Sequence, residues 1–187
     1  PTETRVGQPI GGFYLYRTDG IFQNINEVNA YTNSNGGLIQ PNAQPGDIRF
    51  KDLNGDGKIS DADKEYCGSG IPSLEANFNL SASYKGFDFS AVIGSAWNYK
   101  LYNGNKYFYE GMNSKSNMLK STLDAWTPQN TNTNVPRAVY QDPNGNMKES
   151  DRFLENGDFV RLRQVQLGYT LPKSLLQSMH IDKLRFY

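Results

Sequence analysis

The stretch Glu75–Trp97, EANFNLSASYKGFDFSAVIGSAW, decides the fold class of this chain. It predicts two antiparallel strands joined by a two-residue turn at Lys85-Gly86. That register builds one face of apolar and aromatic residues, with the pairs Tyr84–Phe87, Ala82–Phe89, Leu80–Ala91 and Phe78–Ile93. The other face is small and mostly polar, with the pairs Ser83–Asp88, Ser81–Ser90 and Asn79–Val92. Because side chains alternate between faces, the hairpin either covers a soluble core or faces lipid, and these alternatives imply different functions.

The composition limits the class of protein to which the chain can belong. Its 187 residues are enough for one domain with a sizeable core. The 19 Lys and Arg residues are balanced by 19 Asp and Glu residues, so no positive field favours nucleic-acid binding. The single cysteine, Cys67, excludes a disulfide within the chain.

The hydropathy of the chain excludes a helical membrane protein but leaves a membrane barrel open. No segment approaches the ~18 consecutive apolar residues that identify a transmembrane helix. A transmembrane β-strand needs only ~9–11 residues of alternating character, so a barrel protein can have a polar average composition. The mean hydropathy of −0.67 is compatible with such a barrel.

A third long strand is predicted over Phe159–Leu171. From Gln164 onward apolar and polar residues alternate, whereas from Val160 to Arg163 the phase is reversed. A β-bulge near Arg163 explains this reversal, and so does a strand that leaves the membrane. Another strand begins at Leu184 and the chain stops in its middle, so we expect a fragment of a larger barrel whose missing parts pair the free strand edges.

Shorter elements are predicted between these strands. The spacing of apolar residues in Ser116–Trp126 suits a short helix that ends before Pro128. A helical turn is expected near Ile25–Tyr31, and one or two helical turns are expected within Pro172–Met179. Asp47–Lys51 is predicted as a short strand.

The sequence Asp52–Asp63, DLNGDGKISDAD, matches the pattern of a calcium-binding loop. The predicted ligands are the side chains of Asp52, Asn54, Asp56 and Asp63, the hydroxyl of Ser60 directly or through water, and the backbone carbonyl of Lys58. Gly57 permits the sharp turn, and a β-like segment precedes the loop in place of an EF-hand helix. The predicted cofactor is therefore a structural Ca²⁺, and the alternative is an acidic turn that holds no metal.

The segment 97–111 is rich in aromatic side chains. Trp97 and Tyr99 are best interpreted as part of the aromatic belt at a membrane interface. Aromatic faces can also stack on sugar rings, and the candidates for ligand contacts are Tyr102, Tyr107, Phe108 and Tyr109. The competing interpretation is that these rings pack within a loop.

The residues that enzymes use for catalysis form no recognisable constellation in this sequence. His180 is the single histidine, so neither a zinc cluster nor a serine triad can be assembled without it, and no nucleophile-elbow motif is present. Cys67 has no motif around it, and no spacing singles out a pair of carboxylates. We therefore expect no enzymatic activity.

Several motifs, in order along the chain, resemble the C-terminal part of the SusC/RagA family of TonB-linked outer-membrane transporters. The matching segments are 9–14, 16–23, 45–57, 79–88, 126–128, 135–137, 150–163 and 167–172. The resemblance implies a large barrel with an N-terminal plug, energised by TonB and capped by a SusD-like surface lipoprotein. Such pairs import oligosaccharides or peptides. The chain departs from the full pattern because we find no plug and no TonB-contact segment in it.

We therefore predict an all-β chain that contributes antiparallel strands to a transmembrane β-barrel in the lipid bilayer of the bacterial outer membrane. Residues 1–187 are taken as part of one C-terminal barrel domain without the plug. Residues 23–63 and 98–157 form long extracellular loops, whereas Lys85-Gly86 and 172–182 are periplasmic turns. The expected function is TonB-dependent import of a nutrient. The alternative is a soluble, secreted β-sandwich that binds glycan and is stabilised by the same calcium loop.

Overall fold

The computed structural model of the chain describes residues 1–110, 117–177 and 181–187. They form two compact units, each built from two segments of the chain. The first unit comprises Pro1–Gly70 and Lys100–Glu155, and the second comprises Ile71–Tyr99 and Asn156–Tyr187. Regular structure is mostly β, which confirms the all-β class. In the part of the chain that the structure describes, no helix is long and apolar enough to cross a membrane.

The second unit is a single antiparallel sheet of four strands. Its strands are β6 (Leu74–Tyr84), β7 (Phe87–Trp97), β10 (Phe159–Thr170) and β11 (Arg185–Phe186), in the order β11-β10-β7-β6. The pairing of β6 with β7 confirms the predicted register, because Tyr84 lies opposite Phe87 and Leu80 opposite Ala91. The period-2 pattern of the sequence was sufficient to fix this pairing, since a slip by one residue would exchange the two faces.

The turn between β6 and β7 is the predicted two-residue turn. Lys85 and Gly86 have φ values of +46° and +89°. Two consecutive positive φ angles are typical of a type I′ turn, whose twist matches that of the flanking strands. A Cβ atom on Gly86 would lie 2.7 Å from the carbonyl oxygen of Thr170, so glycine is required there by space as well as by conformation.

The predicted irregularity in β10 is also present. Leu162 lies opposite Ile93 and Gln164 opposite Val92, so Arg163 has no partner in the ladder. An unpaired residue of this kind is a β-bulge, and it accounts for the reversal of phase in the sequence.

The apolar face of the four-stranded sheet is exposed. The exposed fractions of Phe78, Leu80, Val165 and Leu167 lie between 47% and 63%. β6 is exposed along its whole length on both faces. Among the described residues the strands do not close into a barrel, because the sheet ends at β6 on one side and at β11 on the other.

The first unit contains three small β-sheets and a buried aromatic core. Its sheets consist of β1 (Thr2–Glu3), β2 (Gly12–Tyr16) and β5 (Lys64–Tyr66); of β3 (Thr18–Ile21) and β4 (Ile48–Phe50); and of β8 (Lys100–Tyr102) and β9 (Leu154–Asn156). Leu15, Phe50 and Phe153 are completely buried. Burial of such side chains stabilises a unit that otherwise consists largely of loops.

Short helices complete the first unit and part of the second. They are α1 (Ile25–Ala30), α2 (Gly104–Tyr109), α3 (Lys173–Leu176) and 3-10 turns at Asp61–Asp63, Lys120–Asp124 and Asp151–Phe153. α1 confirms the helical turn that was expected there, and the Asn24 side chain caps it by accepting a hydrogen bond from the Glu27 amide. α3 agrees with the prediction of a helical turn within Pro172–Met179, whose last residues lie outside the described part.

The short helix predicted over Ser116–Trp126 is of the 3-10 type and covers less of the segment than expected. The described residues of this segment contain only the 3-10 turn at Lys120–Asp124. The hydroxyl of Thr122 donates a hydrogen bond to the carbonyl of Leu119, and such local bonds compete with an α-helix. Leu123 is 84% exposed, so the apolar residues of the segment do not form a buried helix face.

Candidate functional site

The loop over Asp52–Asp63 makes a tight bend that hydrogen bonds between its own side chains and backbone amides stabilise. The Asp52 carboxylate accepts hydrogen bonds from the amides of Gly55 and Gly57, each at 2.8 Å. The side-chain oxygen of Asn54 accepts one from the Asp56 amide at 2.9 Å. Gly55 and Gly57 have φ values of +73° and +83°, so the bend uses the left-handed region that glycine adopts without strain.

Asp63 closes the loop from inside. Its carboxylate is completely buried and accepts hydrogen bonds from the amides of Leu53, Asn54 and Ser60, at 2.9, 3.3 and 2.8 Å. The Ser60 hydroxyl in turn caps the 3-10 turn at Asp61–Asp63 by accepting from the Ala62 amide. A carboxylate with three amide donors is held in one orientation, which fixes the two ends of the loop against each other.

Three of the six predicted calcium ligands converge. The carboxylates of Asp52, Asp56 and Asp63 each offer an oxygen, and these oxygens lie within 4.8 Å of one another. An oxygen that accepts one amide hydrogen bond keeps a further lone pair, so these bonds leave metal coordination possible. Oxygen donors of this kind fit a hard cation such as Ca²⁺. The site for calcium therefore stays a prediction that the donor set supports.

The other three predicted ligands, Asn54, Lys58 and Ser60, are not among the converging carboxylates. Asn54 faces the Asp56 amide, and the Ser60 hydroxyl is engaged as a helix cap. Lys58 could contribute only its carbonyl, and its ammonium lies 4.0 Å from the Asp56 carboxylate. At that distance, with the Lys58 side chain mostly exposed, the ammonium offsets little of the acidic charge.

Neighbouring residues hold the loop in place from two directions. The Tyr31 hydroxyl donates to the Phe50 carbonyl at 2.6 Å and accepts from the Asp52 amide at 3.3 Å. The Tyr16 hydroxyl donates to the Asp61 carboxylate at 2.8 Å. Burial, and then this bond to Asp61, raises the pKa of Tyr16 well above its ordinary value, so the phenol stays protonated as a donor.

The four aromatic candidates for ligand contact fall into two pairs. The rings of Tyr102 and Tyr107 pack against the buried Phe153, with centroids 6.0 and 5.3 Å away. Phe108 and Tyr109, on the last turn of α2, are 68% and 45% exposed. Tyr102 and Tyr107 therefore contribute to packing, whereas Phe108 and Tyr109 present surface that a ligand could reach. Ligand contact stays a prediction for all four.

A buried polar network that the sequence analysis missed surrounds Asp47. Both carboxylate oxygens of Asp47 accept from the guanidinium of Arg137, at 2.7 and 3.0 Å. Asn146 donates to the same carboxylate at 2.9 Å, and Gln40 donates to Asn144. Asp47 is completely buried, so the carboxylate of this bidentate pair is shielded from water. The signal available in the sequence was the pair of motifs at 45–48 and 135–137, because the first contains Asp47 and the second contains Arg137.

A large polar cleft of about 790 Å³ opens on the first unit. Its lining includes Gln23, Glu27, Arg49, Asp124, Asn132 and Asn134. Arg49 pairs with Asp19 at 2.7 Å, and its Nε is buried without a hydrogen-bond partner among the described residues. Amide, carboxylate and hydroxyl groups on one concave surface are suited to a ligand with many hydroxyl or amide groups. His180 lies outside the described residues.

Comparison with known proteins shows sequence similarity to TonB-dependent receptors. No protein-family model matches it. It is 32% identical over 188 residues to TonB-dependent receptor P3 of Formosa agariphila, covering 98% of this chain and 17% of that protein. It is 32% identical over 174 residues to TonB-dependent receptor P26 of the same organism, and this match covers 91% of this chain and 17% of that protein. It is 26% identical over 166 residues to TonB-dependent receptor SusC of Bacteroides thetaiotaomicron, and this match covers 89% of this chain and 14% of that protein.

These matches confirm the resemblance drawn from the sequence motifs. The chain spans about a sixth of the length of the curated relatives that it matches first. TonB-dependent receptors, SusC included, are outer-membrane proteins, so the predicted location is confirmed as well. Nearly the whole of this sequence is therefore similar to a part of TonB-dependent receptors, SusC included.

Proposed function

We propose that the chain is part of the barrel wall and of the outer loops of a TonB-dependent importer for a nutrient. The observation that carries the proposal is the four-stranded sheet with an exposed apolar face, in a chain whose relatives are TonB-dependent receptors. β6, β7 and β10 have 11, 11 and 12 residues. This is close to the ~9–11 residues that a tilted transmembrane strand needs.

The two faces of the sheet suit lipid on one side and a water-filled lumen on the other. Phe78, Leu80 and Leu167 would face lipid, because apolar residues alternate with small polar ones along barrel strands. Ser81, Ser83 and Ser90 would then line the lumen. A soluble sandwich would need a second sheet over the apolar face, whereas Phe78 is 61% exposed among the described residues.

The lengths of the connections assign the two sides of the membrane. Barrels have short periplasmic turns and long outer loops, so the tight turn at Lys85-Gly86 and the segment 172–182 belong to the periplasm. The loops at 23–63 and 98–157 would then be extracellular. There they would carry the calcium loop, which we propose to be a structural Ca²⁺ site that shapes the outer surface.

The partners that we propose follow from the family. A SusD-like lipoprotein would cover the outer loops, and TonB would act through a part of the receptor outside this chain. The ligand would be an oligosaccharide or a peptide, with Phe108 and Tyr109 as exposed aromatic contacts. The residues of this chain would bind and position the ligand without a catalytic step.

The test is TonB-dependent uptake by the full-length receptor. Cells lacking the receptor gene, cells lacking TonB and complemented cells are grown on a panel of oligosaccharides and peptides, and uptake of a labelled form is measured. We expect uptake of at least one ligand to require both the receptor and TonB. Uptake that persists without TonB would contradict the proposal, and so would a folded full-length protein that stays monodisperse without detergent.

A further inference from the structure

The polar face of the four-stranded sheet is built largely from small side chains. On this face Ser81 lies opposite Ser90, and Gly94 lies between Asn77 of β6 and Arg161 of β10. A glycine within a strand often marks a place that another backbone or a ligand approaches closely. The small residues therefore leave room for a further segment of polypeptide directly on the sheet.

Two arginines of β10 project from this face beside Gly94. Arg161 is the ladder partner of Gly94, and Arg163 is the bulged residue two positions along. A Cβ atom on Gly94 would lie 2.6 Å from Nε of Arg163, so the Arg163 side chain crosses the sheet over the glycine. Cζ of Arg161 lies 4.5 Å from the centroid of the Phe159 ring. Both arginines are exposed, and these contacts hold their charged groups on the polar face.

The described part of the chain offers these two arginines no counter-charge. Among its residues neither guanidinium forms an ion pair with a carboxylate. The carboxylate of Asp88 on the same face is already paired with Arg185, whose Nε donates to it at 3.0 Å. Glu75, on β6, is separated from β10 by the whole of β7. The segments outside the described part, 111–116 and 178–180, contain neither Asp nor Glu.

We propose that Arg161 and Arg163 bind carboxylates of a segment of the same receptor that lies outside this chain and packs on the polar face of the sheet. The inference rests on the proposed function, in which this face lines the lumen, and it gives the lining a partner of stated charge. A guanidinium matches a carboxylate with two parallel hydrogen bonds, so each arginine can hold one Asp or Glu side chain in a fixed orientation.

The kind of occupant follows from the shape of the surface and from what lies outside the chain. β6 is exposed along its whole length, so this face is an open surface and not the enclosed cavity in which proteins bury a small ligand. Arginine is enriched in interfaces between proteins. The chain covers only 17% of TonB-dependent receptor P3, so most of a receptor of that length is available to pack against the sheet. An acidic segment of the receptor itself fits these observations best.

Photo-cross-linking in the full-length receptor tests this assignment. Benzoylphenylalanine, a photoreactive residue, replaces Val92, which lies on the polar face two residues from Gly94 and has strands of this chain on both sides. We expect the cross-linked peptide, identified by mass spectrometry from isolated outer membranes, to lie outside this chain in the same receptor and to contain Asp or Glu. Ile93, on the apolar face, is the matched position and should give no such product. A cross-link from position 92 to another protein, to a peptide without acidic residues, or to nothing outside this chain would overturn the proposal.

A charge reversal then tests the arginines themselves. Arg163→Glu should accelerate hydrogen exchange of the cross-linked segment by about tenfold or more, the effect expected from the loss of one charge-assisted hydrogen bond. Lys85→Glu, in the turn of the same sheet, makes the same change of charge and should leave that exchange unaffected. Replacing the acidic residue of the partner segment by Lys in the Arg163→Glu variant should restore protection, which a merely structural role of Arg163 does not explain. Equal exchange in the Arg163→Glu and Lys85→Glu variants would overturn the proposal.

The outcomes separate this inference from the proposed function. The cross-linking experiment keeps both arginines, so it decides the contact even if Arg163→Glu does not fold. Neither measurement involves a nutrient or TonB, so the contact can be absent while uptake remains TonB-dependent. Conversely, uptake that persists without TonB would contradict the proposed function while the cross-link from position 92 still forms.

Discussion

The ion pair between Asp47 and Arg137 joins two distant loops of the first unit. The two residues are 90 positions apart in the chain, yet their side chains make a bidentate pair. Gly46 is part of the same arrangement, since its φ is +92° and a Cβ there would lie 2.4 Å from the Trp126 ring. The motifs at 45–48 and 135–137 are therefore parts of one buried structure.

Replacing Asp47 by Asn should destabilise this region. Arg137 would lose its counter-charge, at a cost of about 2–3 kcal/mol, below the usual range for a buried pair because the Arg137 side chain is 24% exposed. Hydrogen exchange of the full-length receptor should accelerate in peptides that cover 44–50 and 135–148. Asp19→Asn, which breaks a half-exposed pair with Arg49, is the control and should change little. Equal effects of the two variants would contradict this account.

Asp56 is the most exposed of the three converging carboxylates and tests the calcium site most directly. We expect chelated full-length receptor to bind Ca²⁺ with measurable heat and to gain thermal stability, with affinity in the ~10⁻⁴–10⁻³ M range of extracellular modules. Asp56→Ala should weaken binding at least about tenfold, because one of three charged ligands is lost.

The control for Asp56 is another acidic residue of the same loop. Asp61→Asn removes an exposed carboxylate that bonds Tyr16 and lies outside the three converging oxygens. It should leave the calcium-dependent gain in stability intact. No heat with the wild type, or an unchanged gain with Asp56→Ala, would show that the loop is an acidic turn without metal.

At the scale of elements, the long hairpin was predictable and the loops were not. Its register follows from alternation over β6 and β7, because only one pairing keeps apolar residues on one face. The bulge at Arg163 was predictable for the same reason, since it reverses that alternation. The segment 116–126 has an apolar spacing that suits a helix, but its Leu123 stays exposed, so periodicity alone was misleading there.

The proposed orientation of β6 predicts opposite outcomes for neighbouring substitutions. Leu80→Arg would place a charge in lipid and should cost about 2–4 kcal/mol near the midplane of the bilayer. Ser81→Arg, one residue along and on the proposed lumen face, should cost much less. The folded fraction of each full-length variant can be measured in isolated outer membranes by its heat-dependent mobility in detergent gels. Similar losses for both variants would contradict the assignment of faces.

For the chain as a whole, the sequence revealed the resemblance to TonB-dependent receptors but not how the first unit is assembled. The motifs indicated this resemblance because several short matches occur in the correct order. The buried contacts among Gln40, Asp47, Arg137 and Asn144 were not predictable, since side chains 90 to 104 positions apart meet there without any periodic pattern.

The discontinuous first unit has a consequence for the order of assembly. The first segment of this unit, Pro1–Gly70, can pack against its second segment, Lys100–Glu155, only after the hairpin that lies between them in sequence has been synthesised and exported. Local strand pairing requires closure of a two-residue turn, whereas the pair of Asp47 with Arg137 closes a loop of 90 positions at a higher entropic cost. We therefore expect the hairpin to form early and the outer-loop structure late. Until then the unpaired loop segments must be kept from aggregating during export.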